Sequence, residues 1–257
     1  MRIHRPFAVS LLATALLMAG NHTTAATADA SLSHVRFELI DLDLTDGIAP
    51  QFIILGSPYS AIFSKTSGVK GPNPDSQSVF GSVGGSLGPV TSDTAPSLAS
   101  GRVLEGDVWA SGVGVLSSAQ TWGASTSAVA ATHAFAISFT LTPHTQLLLR
   151  ADAVVTNTGT AGEYANAQAT ITLQGLDGSH ASFSQQTAWL DTLGGIHVDG
   201  SSQLLASYTN NSAMNLQGAA YAYAIASVQG VAGVVPEPAT AGLMLLGLAG
   251  LLCRKRG

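Results

Sequence analysis

Large and small side chains alternate with a period of two along this chain, and that spacing constrains its fold more than any other feature. In Ala134-Phe135-Ala136-Ile137-Ser138-Phe139-Thr140-Leu141 the large residues share one parity and the small ones the other. Successive side chains of a strand point to opposite faces, so the run reads as a half-buried strand. Leu147, Leu149, Ala151, Ala153 and Val155 resume the alternation after Thr142-Pro143-His144-Thr145, where proline fixes φ for a turn. The two segments predict an antiparallel hairpin with Phe135, Ile137, Phe139, Leu147 and Leu149 buried.

Other segments follow the same rule. Tyr164 to Gln174 sets Ala165, Ala167, Ala169, Ile171 and Leu173 against polar residues. His34–Leu44, Gln51–Leu55, Arg102–Leu116, His180–Leu190 and Ala219–Val228 are further strand candidates. They are separated by turn signals at Asp46-Gly47, Gly56-Ser57-Pro58, Asp177-Gly178, Gly194-Gly195 and Asp199-Gly200. Thr66 to Ser100, dense in Gly, Ser and Pro, reads as a long exposed excursion with one short strand near Val79-Phe80. No amphipathic helix pattern occurs between Asp29 and Val235. Roughly ten strands at this spacing imply an all-β, antiparallel two-sheet sandwich of jelly-roll type. Alanine and glycine on the inner faces would let the sheets approach. Phe37, Phe52, Phe135, Phe139, Trp109 and Trp189 are expected to fill the rest.

Both ends differ from this interior. Met1-Arg2-Ile3-His4-Arg5 is basic, Phe7 to Gly20 is apolar or small, and Ala26-Thr27-Ala28 supplies a small-x-small pattern. These are the parts of a secretory signal peptide, residues 1–28, cut by signal peptidase after Ala28 or, as the alternative, after Ala30. At the other end Val235-Pro236-Glu237-Pro238-Ala239 precedes an apolar run carried by Ala241, Leu243, Leu245, Leu246, Leu248, Leu251 and Leu252. Arg254-Lys255-Arg256 closes it. The run from Ala239 to Cys253 would rise about 22 Å as a helix, against a hydrocarbon core of about 30 Å. It can enter a membrane but anchors weakly, with the basic triplet held on the cytoplasmic side. The expected organisation is therefore a secreted sandwich over 29–230, flanked by an N-terminal signal helix and a C-terminal hydrophobic helix in 231–257.

This three-part tail resembles the PEP-CTERM sorting signal of Gram-negative bacteria, the substrate of a membrane protease-transpeptidase called exosortase. Pro236, Glu237 and Pro238 match its core one for one. The resemblance implies export across the inner membrane, transient anchoring there, and processing by exosortase to a cell-surface or extracellular form. It also implies a link to exopolysaccharide or biofilm.

Charge depends on which part is counted. The full chain carries 10 basic and 15 acidic residues. Five of the basic residues, Arg2, Arg5, Arg254, Lys255 and Arg256, lie in the targeting ends, so Asp29–Pro238 carries 5 − 15 = −10. Such a domain has no electrostatic footprint for nucleic acid. The only cysteine is Cys253, in the tail, so the secreted domain has no disulfide and depends on its core alone.

Candidate chemistry is sparse. Asp41, Asp43 and Asp46 place three carboxylates close together before Gly47, and Ca²⁺ favours oxygen ligands. The stretch lacks the Asp or Asn, Gly and Glu that an EF-hand loop wants at Thr45, Asp46 and Phe52, so a solvated strand end with an Asp-Gly turn is the expectation. Gly84-Gly85-Ser86-Leu87-Gly88 fits the Gly-x-Ser-x-Gly pattern, yet Pro89 follows where a nucleophile elbow needs a helix. His34, His133, His144, His180 and His197 show no paired zinc-ligand spacing. No cofactor and no catalytic residue are expected. A non-enzymatic exported surface protein is the leading expectation. Its rivals are a carbohydrate- or ligand-binding module using Trp and Tyr, a jelly-roll hydrolase with two facing carboxylates, and a self-associating structural adhesin.

Overall fold

The computed structural model describes residues 26–67, 75–94, 97–122, 126–159, 163–176, 183–193 and 198–230. The expected signal helix up to residue 25 and the whole sorting tail lie outside the described residues. All regular structure described is β-strand. One six-stranded sheet, A, orders β11 (Val198–Asn210), β8 (Thr145–Thr158), β1 (Ala26–Asp41), β6 (Val113–Thr121), β5 (Ser97–Leu104) and β4 (Leu87–Thr94). The other, B, orders β10 (Phe183–Leu193), β9 (Tyr164–Gly175), β12 (Leu216–Gln229), β7 (Ser127–Leu141), β2 (Phe52–Ser67) and β3 (Asp75–Ser82). Neighbours pair antiparallel throughout. The sequence expectation of an antiparallel two-sheet sandwich therefore holds.

The expected hairpin does not. Phe135, Ile137, Phe139, Leu147 and Leu149 are all buried, as their parity requires. Their strands nevertheless belong to different sheets: β7 pairs with β12 and β2, and β8 with β1 and β11. Thr142–His144 carries the chain across the end of the core rather than back along one sheet. Asn210 Nδ2 pins the crossing by donating to the carbonyls of Leu141 (3.1 Å) and Thr142 (2.9 Å). The Gln51 amide donates to Thr142 Oγ1 at 2.8 Å. Two strands with large inward residues gain more burial face to face than side by side.

Four further expectations need correction. Thr66–Ser100 holds the expected strand around Val79-Phe80 as β3, but β4 and the start of β5 as well, so it is not one long excursion. Arg102–Leu116 is not one strand but the end of β5, a turn, and the start of β6. Gly56-Ser57-Pro58 and Asp199-Gly200 lie inside β2 and β11, the former at a register shift where Gly56 takes φ 72°. Trp189 faces outward at 59% exposure, and Trp109 only half fills the core, lying over Phe37 and Phe52 with ring centroids 5.4 and 5.2 Å away.

The core is graded along its length. At one end Phe37, Phe135, Phe139, Leu141, Leu147, Leu149, Leu173 and Tyr208 are buried. Toward the other end the inward positions become Ala26, Ala28 and Ala30 on β1, Ala128 and Ala130 on β7, Ala165 and Ala167 on β9, and Ala224 and Ala226 on β12. Fully buried alanines on both inner faces leave nothing to fill a wide gap, so the sheets converge there.

Both termini of the sandwich lie at this alanine end. Ala26 pairs opposite Thr121, whose hydroxyl bonds that of Thr126, and the Thr126 carbonyl accepts from the Gly230 amide at 2.9 Å. β1 begins three residues ahead of Asp29, the expected first residue after signal cleavage, so cutting after Ala28 removes two fully buried alanines from this register.

Glycine is required where β12 passes the aromatic end. A Cβ on Gly218 would sit 2.4 Å from Phe139 Cζ and 2.9 Å from the Gln174 carbonyl oxygen. Gly218→Ala is expected to cost about 1–3 kcal/mol through overpacking, read as a lower urea midpoint with unchanged slope. Phe139→Leu in the same chain should recover part of the loss.

Candidate functional site

The end of the sandwich opposite the termini carries the one titratable cluster found among the described residues. Asp41 ends β1, and the following turn is held by carboxylates. Asp41 Oδ1 accepts from the Asp43 amide at 3.0 Å, and Asp43 Oδ1 accepts from the Thr45 amide (2.9 Å) and hydroxyl (2.6 Å). Asp46 Oδ1 accepts from the Ile48 amide at 2.7 Å. These short side-chain-to-backbone bonds are the ordinary reason Asp concentrates in turns.

The crossing between β7 and β8 adds a third kind of group. The Leu42 amide donates to the His144 carbonyl at 2.8 Å, and His144 takes a left-handed φ of 50°. Ligand-capable atoms of Asp43, Asp46 and His144 come within 4.8 Å of one another. Asp41 is not in this group. The Thr45 hydroxyl and amide, and more weakly the nearby imidazole, hold the Asp43 carboxyl below the usual carboxylate range. Asp46 Oδ2 is buried with no hydrogen-bond partner. His144 lies about a hundred residues from Asp43, and no local spacing signals that contact.

Two carboxylates and one imidazole supply three donors, well short of the six to eight oxygens of a Ca²⁺ shell. The turn bonds account for one oxygen of each carboxylate and leave Asp46 Oδ2 without a partner. Millimolar Ca²⁺ or micromolar Zn²⁺ should leave the melting temperature of the exported protein unchanged. A rise abolished by Asp46→Asn or His144→Ala would instead make it an ion site, since binding only the native state stabilises by mass action.

Ser86 ends the turn joining β3 to β4, and a strand rather than a helix follows it. The Gly85 amide closes this turn on the Ser82 carbonyl at 3.3 Å. The nucleophile-elbow geometry, which needs a helix N-terminus behind the serine, does not occur here. His34 pairs with Asp152 at 2.9 Å on the outer face of sheet A. His180 and His197 lie outside the described residues.

The two outer faces differ in charge. The strands of sheet A carry Asp29, Arg36, Glu38, Asp41, Asp93, Arg102, Arg150, Asp152 and Asp199, whereas those of sheet B carry only Lys65, Asp75 and Asp191. Those three lie toward the alanine end, since Lys65 pairs with Val129, Asp75 with Thr66 and Asp191 with Asn166. Beyond them the outer face of sheet B presents aromatic rings. Phe80 meets Tyr59 and Phe63 with centroids 5.9 and 5.5 Å apart, Phe63 meets His133 at 6.3 Å, and His133 meets Tyr223 at 5.4 Å. Burial among these rings pushes the His133 imidazole down, toward its neutral form. The band continues over Thr187, whose hydroxyl lies 3.1 Å from that of the fully buried Thr170.

A matching family model covers only the tail. Residues 234–256 match the PEP-CTERM protein-sorting motif, so the chain joins an antiparallel β-sandwich to a sorting signal for exosortase. The motif supports an exosortase-targeted secreted protein. Val235, Pro236, Glu237, Pro238, Ala239 and the apolar and basic residues behind them all fall within this match. Among curated proteins no relative matches the chain in sequence. Among solved structures, vicilin from Corylus avellana (hazelnut) is similar at 8% identity over 76% of this chain and 73% of that one. The TM-score between the two is 0.09.

Proposed function

We propose that this protein is a non-enzymatic structural component of the cell surface, delivered by exosortase and associated with exopolysaccharide matrix. The observation that carries the reading is the sorting motif at 234–256, which begins four residues after Gly230 leaves the sandwich. Ala26 and Gly230 share one end of the domain, so both targeting segments join it there. The aromatic end lies at the opposite end of the sandwich from both joins. Signal peptidase would act first, and exosortase at the tail afterwards. Two prolines fix φ around Glu237 and keep the motif extended, which suits a protease that reads backbone.

The structural role is supported by the hairpin-turn setting of Ser86 and by the turn-forming use of Asp41, Asp43 and Asp46. A carbohydrate-binding reading draws on the ring band of sheet B. Three of its four ring contacts meet at 61° to 86°, so it offers mixed ring edges and faces rather than one flat stacking platform.

Replacing Glu237, or both Pro236 and Pro238, should leave an unprocessed precursor in the inner membrane, seen by fractionation and intact mass. A surface-exposed protein that still contains Leu243 to Leu252 would contradict exosortase processing.

A further inference from the structure

We infer that the outer face of sheet B is a self-association surface, on which a second copy of this chain packs sheet against sheet. Strand register shows how continuous this face is. Phe63, Ala131, Ile225, Gln168 and Trp189 lie in one outward row across five strands. Ala61, His133, Tyr223, Thr170 and Thr187 form the adjacent row, with Phe80 opposite Ala61, although Ala61 and Thr170 are themselves fully covered by their neighbours. Neither row holds a charged residue. Phe80 and Trp189 are 60% and 59% exposed, and Phe63 and Tyr59 are 41% and 45% exposed. Single exposed hydrophobics are ordinary, but a contiguous band rimmed by polar residues marks a contact surface.

Charge argues for a second copy rather than a different occupant. Two bodies of net charge −10 repel through most of their surfaces. The face of sheet B carries three charges near one end and is otherwise neutral, so here two copies can approach without juxtaposing like charges. The extent is also adequate. The six strands overlap over the eight residues of β3, so at about 4.8 Å between strands and 3.4 Å per residue they share roughly 25 by 27 Å, or about 680 Å², and the longer strands extend the face beyond it. A specific interface needs about 800 Å² from each partner. Rings meeting edge to face leave ridges and hollows, which suit the interdigitated contact of packed sheets. A two-fold axis along the strands leaves both Gly230 residues at the same end of the pair. Two copies tethered to one membrane could therefore form it. The pairing rests on the face itself and not on the sorting reading, so either can fail without the other.

The test is sedimentation of the exported, processed protein, with melting curves confirming that each variant is folded. The wild-type protein should sediment at twice its monomer mass, more completely as NaCl screens the repulsion between copies. Phe63→Glu should return it to the monomer. Phe80→Glu, at a more exposed ring, should do the same and serves if Phe63→Glu does not fold. Val154→Glu, on the outer face of sheet A, should leave the pair intact. A wild-type protein that stays monomeric at high concentration overturns the inference. So does a pair indifferent to both ring substitutions, or one lost equally with Val154→Glu. A monomer that instead co-sediments with dextran through Phe63 and Phe80 would also overturn it and assign the face to carbohydrate.

Discussion

Hydroxyl groups of one sheet bond directly to backbone carbonyls of the other, and the rest of the structure depends on the short sheet separation this demands. Ser117 Oγ on β6 lies 2.9 Å from the Ala224 carbonyl oxygen on β12, and Thr132 Oγ1 on β7 donates to the Leu116 carbonyl on β6 at 2.9 Å. Ser92 Oγ on β4 donates to the Ser64 carbonyl on β2 at 3.0 Å, and Ser97 Oγ on β5 to the Ser67 carbonyl at 3.2 Å. A serine hydroxyl reaches only about 2.4 Å from its Cα, so each bridge holds a Cα within roughly 5 to 6 Å of the facing carbonyl oxygen. Packed sheets ordinarily stand about 10 Å apart. Alanine, glycine, serine and threonine fill most inward positions around the bridges, and where a larger residue enters, as Ile62 does beside Thr132, it faces a glycine, Gly101, on the opposite sheet. The hydroxyls and the small side chains are two aspects of one constraint: burying polar atoms costs little here because each finds a partner across the gap.

The aromatic end obeys the opposite rule. Phe37, Phe52, Phe135 and Phe139 pack with centroids 4.7 to 5.1 Å apart, and Tyr208 joins Phe139 edge-on at 5.8 Å. The sheets are propped open there, and Thr142–His144 has room to cross from one to the other. The same crossing brings His144 to Asp43 and Asp46. The local chemistry at this end therefore follows from the taper of the core.

Alternation made the inward residues of β7, β8 and β9 legible from sequence, but in β12 the small parity, Ala222, Ala224 and Ala226, turns inward and Tyr221, Tyr223 and Ile225 face out. Alternation could not say which strands pair. Parity fixes the face a residue takes, whereas sheet membership depends on the loop between strands, and Thr142-Pro143-His144-Thr145 reads equally well as a tight turn or a crossing. β4, and all of β3 but its Val79-Phe80 centre, were hidden for a different reason. With Gly, Ser and Thr on both parities, Asp75–Thr94 has no contrast to detect, although its inward Ser92 is a bridge residue. The tail was legible in full because a machine-read address is a linear pattern. The contact of Asp43 and Asp46 with His144 depends on tertiary folding and leaves no linear trace.

The most direct measurement of this account compares leucine at two neighbouring alanines of sheet B by chemical denaturation. Ala224 is fully buried beneath the Ser117 bridge, while Ala131, its diagonal neighbour on β7, faces outward. Ala224→Leu should cost about 3 kcal/mol or prevent folding, because the separation fixed by the bridges leaves no room for the side chain. Ala131→Leu should stay within about 0.5 kcal/mol of the parent. Equal tolerance at both positions would mean that the sheets are free to separate, and would contradict the claim that hydroxyl bridges and small residues set their spacing.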